Sequence, residues 1–104
     1  MKGRTPTADE RRHMAAVAEL GCCVCRRELG VYSPAAIHHI DGKTRPGAHF
    51  KVLGLCPMHH QTGGYGVALH AGRVEWERLY GTQRELLAWV AERLNSSMEA
   101  ASEI

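Results

Sequence analysis

The sequence predicts a small α+β domain, a metal-stapled ββα core with a helix on either side. Three observations predict it. A chain of 104 residues with 6% aromatics has room for one core and little bulk to fill it, so a staple is expected. Four cysteines and seven histidines are many for this length, and nearly all fall in the middle of the chain. Apolar residues recur at helical spacing near both ends, with short β-like runs between them.

The elements follow in order. Residues 1–6 read as a loose leader and 7–95 as a single domain without repeats or linkers. A first helix is expected from Ala8 to Leu20: Thr7 and Glu10 have capping-box spacing, Met14, Val17 and Leu20 form an apolar stripe, and Gly21 stops it. Tyr32 to Ile40 holds a short strand ending in Ala36-Ile37-His38-His39-Ile40. The polar stretch Asp41-Gly42-Lys43-Thr44-Arg45-Pro46-Gly47 is a loop, and Phe50 to Leu55 is a second strand. Pro57 suits the first turn of a helix, which completes a ββα unit. Val74 to Tyr80 forms a short helix closed by Gly81. Thr82 and Glu85 then open a last helix with Leu86, Val90 and Leu94 on one face and Leu87 and Trp89 beside them. Residues 96–104 are expected to fray.

Composition narrows the function. Hydrophobic residues at 44% and charged residues at 23% describe a globular chain rather than a disordered one. No apolar run approaches the ~18–20 residues of a membrane span, and Met1 to Pro6 opens no secretory signal. No membrane partner and a cytoplasmic setting are therefore expected. The formal charge of +2 is mild, but ten of the thirteen cations are arginine, whose planar fork suits phosphate.

Cys22-Cys23-Val24-Cys25 and Cys56-Pro57-Met58-His59 each space two metal ligands as one knuckle does, and two knuckles close a tetrahedron. Cys22, Cys25, Cys56 and His59 are thus assigned to a structural Zn²⁺, with Cys23 spare. Away from this set, His38, His39, His49, His60 and His70 cluster on or near the ββα unit. Neighbours on a strand face opposite ways, so His38 and His39 are expected to divide labour, one on a metal and one on a proton. His60 follows a zinc ligand on a helix and so faces away from the zinc. Gly63-Gly64-Tyr65-Gly66 is flexible enough to fold His70 back.

A Cys-x-x-Cys, a His-His-Ile ending a strand and a Leu-Cys-x-x-His-His opening a helix resemble the HNH, or ββα-metal, endonucleases in their zinc-stapled form. The run from about residue 21 to 90, through Gly63-Gly64, Gly66-Val67-Ala68, His70-Ala71-Gly72, Trp76-Glu77 and Tyr80-Gly81, is similar to the phage recombination-enhancement (Ref) nucleases. This resemblance implies a metal-dependent DNA endonuclease with His39 as general base and His38, His60 and His70 as ligands of a catalytic ion. It also implies work on strands opened by a RecA-type recombinase, in a bacterial or phage-infected cell. The middle member of the HNH triad, usually asparagine, has no match on the second strand; His49, off that register, is the nearest polar candidate. Such nucleases tend to carry a basic extension ahead of the domain, whereas only Met1 to Thr7 precede the first helix, so DNA contacts are expected from the domain itself.

Phosphodiester hydrolysis needs an activated water and neutralised phosphate charge. Histidine near its ordinary pKa of ~6.5 can accept the proton at neutral pH. Imidazole ligands suit Mn²⁺, Ni²⁺ or Zn²⁺, while Mg²⁺ would draw on phosphate and water oxygens; Mg²⁺ or Mn²⁺ is the expected catalytic ion, ahead of Zn²⁺ or Ni²⁺. Lys43, Arg45 and Lys51 are expected to position phosphate, with Arg26 and Arg27 behind them. No helix carries Asn, Gln and Arg at base-reading spacing, so little sequence specificity is expected. The competing class is a non-catalytic zinc module that binds nucleic acid or protein. It explains the zinc set equally well and leaves the second histidine set idle.

Overall fold

Thr7 Oγ1 accepts the Glu10 N–H at 3.1 Å, and Glu10 Oε1 accepts the Thr7 N–H at 2.8 Å. Both halves of the capping box are made, and helix α1 spans Ala8–Leu20. The coordinates are a computed structural model describing residues 5–102, with side chains described for 5–95. Most of the leader expected over residues 1–6 lies outside the described residues.

Gly21 ends α1 with φ +85°, a conformation open to glycine at little cost. It turns the chain straight into the first knuckle, Cys22 to Cys25, whose residues are all buried. Strand β1, Ala36–His39, pairs antiparallel with strand β2, Val52–Leu55, with His38 opposite Leu53 and His39 opposite Val52. Gly54 on β2 has no room for a side chain: a Cβ there would meet the Gly21 carbonyl at 2.6 Å and the Val17 carbonyl at 3.2 Å. That close approach seats α1 on one face of the hairpin and brings the first knuckle beside the end of β2, where Cys56 follows.

The second strand is shorter than expected. Gly47, with φ +76°, starts a 3₁₀ turn over Ala48–Phe50, closed by Phe50 N–H on the Gly47 carbonyl at 3.0 Å. Phe50 and Lys51 therefore precede the strand. The helix of the ββα unit is also brief: after Pro57 it is a wide π-type turn, Met58–Thr62, with Gly63 N–H on the Met58 carbonyl.

Helix α2, Arg73–Tyr80, and helix α3, Gln83–Ser102, meet at Gly81-Thr82. Thr82 Oγ1 accepts the Glu85 N–H at 3.1 Å. The backbone of α3 stays helical past residue 95, where a fraying tail was expected, while residues 103–104 lie outside the described residues. Val17, Val52, Leu53, Leu55, Trp76, Leu86 and Val90 form one core with the four cysteines. Each of these apolar side chains contributes about 1.5–3 kcal/mol on burial. Among the described residues no helix is long and apolar enough to cross a membrane.

Candidate metal centres

The two knuckles use the same local turn. Cys22 accepts the Arg26 N–H and Cys56 accepts the His60 N–H, both backbone bonds at 3.0 Å. Each turn points its first and fourth residues inward, and the four side chains converge. His59 Nδ1 lies 3.2 Å from Cys56 Sγ, 3.5 Å from Cys25 Sγ and 3.6 Å from Cys22 Sγ, and Cys25 and Cys56 sulfurs are 3.8 Å apart. A tetrahedral zinc with Zn–S of about 2.3 Å and Zn–N of about 2.0–2.1 Å has edges of about 3.8 Å between sulfurs and about 3.6 Å between sulfur and nitrogen. The distances and the donor set fit that ion.

The surroundings fit it too. Burial pushes the Cys22 thiol up to about 12, so an ionised sulfur there needs the cation's own charge. Cys23 is fully buried, is likewise pushed up to about 12 by burial, and stands outside the group of four.

His38, His60 and His70 form a second group, with one ring nitrogen from each within 4.8 Å of the others. Their rings meet edge to face, His60 and His70 at 4.5 Å, His38 and His60 at 5.2 Å, His38 and His70 at 5.7 Å. Three elements supply them: β1, the second knuckle's turn, and the 3₁₀ turn Leu69–Ala71 that the Gly63-to-Gly66 loop brings back. Burial lowers the pKa of His38 and of His60, and the neighbouring imidazoles add to the effect. Three imidazoles facing one another, His38 and His60 among them with lowered pKa, suit a divalent cation. The zinc group and this second group are the two clusters of potential ligands among the described residues.

His39 does not join either cluster. Strand alternation turns it to the other face, where its Nε2 lies 2.9 Å from His49 Nδ1 with the rings 5.0 Å apart. His49 is buried and sits in the 3₁₀ turn ahead of β2, not on the strand. Strand register therefore does not govern it, which is why a residue out of register still reaches His39. The pKa of His39 is lowered by burial first, then by the charges of His49, Lys43 and His38.

Lys43 and Arg45 are exposed on the loop between the strands, and Arg26 and Arg27 are exposed on the first knuckle's turn. Lys51 is less free: its Nζ is 3.9 Å from Asp41 Oδ2, and Arg84 from α3 reaches the same carboxylate at 2.8 and 3.0 Å. Asp41, Arg84 and Gln83, whose Oε1 lies 2.8 Å from His38 Nε2, are site neighbours that the sequence does not announce. Gln83 and Arg84 come from the start of α3, more than forty residues beyond β1, and no local spacing links them to Asp41, which follows β1, or to His38.

The family model described as "Recombination enhancement, RecA-dependent nuclease" matches residues 6–95. The chain belongs to that family. The match runs from just before α1 into α3 and so includes both histidine groups and the zinc set. This member of the family is thus a small α+β fold with one cluster suited to zinc and a second suited to a divalent cation.

Proposed function

We propose that this chain is an HNH-type DNA endonuclease that hydrolyses phosphodiester bonds with little sequence preference. The observation that carries the reading is the set His38, His60 and His70 converging beside the zinc group, with His39 next to His38 at the end of β1. A purely structural zinc module needs the Cys22, Cys25, Cys56 and His59 group and has no use for three more imidazoles brought together from three elements.

His39 is the general base. The His49 ring holds its Nε2 in place, and when that nitrogen donates to His49, the lone pair on His39 Nδ1 is left to take a proton from water. His49, from the turn ahead of the second strand, thereby orients the proposed base. The lowered pKa keeps His39 neutral, and so competent as a base, at neutral pH. A divalent ion at His38, His60 and His70 supplies Lewis acidity toward the phosphate and leaving oxygens. Mg²⁺ or Mn²⁺ is the proposed native ion, with Zn²⁺ and Ni²⁺ also suited to the imidazoles. Lys43 and Arg45 present free cations beside the strand end to hold the DNA backbone, and Lys51 shares that task with its Asp41 contact.

The family description and the sequence resemblance together support a RecA-type recombinase filament as the partner that presents the DNA, and hence a cytoplasmic place of work. The test is a cleavage assay on single- and double-stranded DNA, with and without a RecA filament, across Mg²⁺, Mn²⁺, Ni²⁺ and Zn²⁺. Cleavage that needs an added divalent ion supports the reading. A protein that holds one zinc per chain, takes no second ion and cuts none of these substrates is the zinc module instead.

A further inference from the structure

Gln83 opens α3 and belongs to neither knuckle nor either strand, yet its Oε1 lies 2.8 Å from His38 Nε2. An amide oxygen can only accept, so this contact requires the proton on His38 Nε2. The ring lone pair then falls on Nδ1, the one atom of His38 left to take a cation. Without a partner on Nε2, the imidazole is free to exchange tautomers and rotate, and part of its population presents an N–H where a ligand is needed.

Gln83 is itself held from a second direction. Its backbone N–H donates to Glu77 Oε2 at 2.7 Å, and Glu77 Oε1 is 3.8 Å from Arg73 Nη1. The joint between α2 and α3 is thus fixed by a side chain from α2, and the residue leaving that joint reaches across to β1. We propose that Gln83 is a positioning residue of the second metal site, orienting His38 and fixing its tautomer so that Nδ1 faces the ion. The inference rests on the reading of His38, His60 and His70 as that site. Partners that hold a ligating histidine by its far nitrogen account for about 10–100-fold in metal affinity.

The test uses the full chain with its zinc in place and Ni²⁺ as the probe ion, titrated by calorimetry. Gln83→Ala is expected to weaken Ni²⁺ binding by about 10–100-fold while leaving one zinc per chain and an unchanged melting temperature. Gln83→Glu, of nearly the same shape and still an acceptor, is expected to match or exceed the parent's affinity. Histidine ¹⁵N NMR should show His38 protonated at Nε2 in the parent and a tautomer mixture in Gln83→Ala. Parental Ni²⁺ affinity in Gln83→Ala would overturn the proposal, and so would Ni²⁺ bound through His38 Nε2. Failure of the site itself looks different: the parent then takes up no second ion, and His60→Ala titrates as the parent does.

Discussion

At the residue scale, the two histidines that end β1 are set apart by what each touches. His38 faces two more imidazoles, whereas His39 faces His49 and the charge of Lys43. Replacing His39 therefore removes no member of the second cluster. His39→Ala is expected to keep both metals and DNA affinity and to lose cleavage by ~10²–10⁴-fold, the usual contribution of a positioned proton acceptor. His60→Ala takes away one of three imidazoles and should lose the second ion first. Elemental analysis beside cleavage rates separates the two; an active His39→Ala protein would remove His39 from its role. The pH profile carries a sign as well. As the proposed base His39 would work in its neutral form, and burial with nearby positive charge lowers its pKa from the ordinary 6.5. Cleavage should thus fall to half its plateau only below pH 6.5, the ordinary histidine value. A rate already halved above pH 7 would contradict that environment.

At the scale of elements, the parts governed by local chemistry were legible in the sequence. The Thr7–Glu10 box and Gly21 bound α1 at the expected residues, and the paired knuckle spacing brings four ligands together. Departures occur where tertiary geometry decides. Phe50 reads as strand by type, but Gly47 coils the chain before β2 and leaves Phe50 exposed against His13. The pairing of His39 with His49 and of His38 with Gln83 depends on how a turn and a distant helix pack, which no short-range period records. Gly54 is a similar case: nothing in Val52-Leu53-Gly54-Leu55 says why glycine stands there until α1 is seen against it. A Cβ at 2.6 Å from the Gly21 carbonyl must push backbone, not a flexible side chain, so the strain has nowhere to go. Gly54→Ala is expected to cost about 1–3 kcal/mol, the range for overpacking. Because the shift displaces the Gly21 turn, it should also weaken zinc retention. Urea denaturation with zinc analysis checks both; a variant as stable as the parent would mean that α1 can move off the strand freely.

At the scale of the whole molecule, the two clusters sit at different depths, and that should order their loss. Cys22, Cys25 and Cys56 are buried in the core beside Leu53, Leu55 and Trp76, whereas His70 is exposed and the second cluster lies open on that side. The Cys22, Cys25, Cys56 and His59 set joins the first knuckle to the end of β2 across residues 26–55, so a zinc held there would contribute folding free energy directly, ~10 kcal/mol or more in apparent binding terms. A domain of this size is marginally stable, and its remaining contacts cannot replace that amount. Cys56→Ala is accordingly expected to be unfolded or insoluble. Cys23→Ala should fold, since Cys23 lies outside the four and only a small buried side chain is trimmed. A chelator added to the parent meets the second site first. Activity should vanish while circular dichroism and one zinc per chain persist, and added Mn²⁺ should restore cleavage. Harsher chelation then removes the zinc and the helical signal together, because the ion and the fold are one equilibrium. If zinc, activity and helix content fell along a single curve from the start, the two centres would not be separable, and the division between a structural and a working ion would fail.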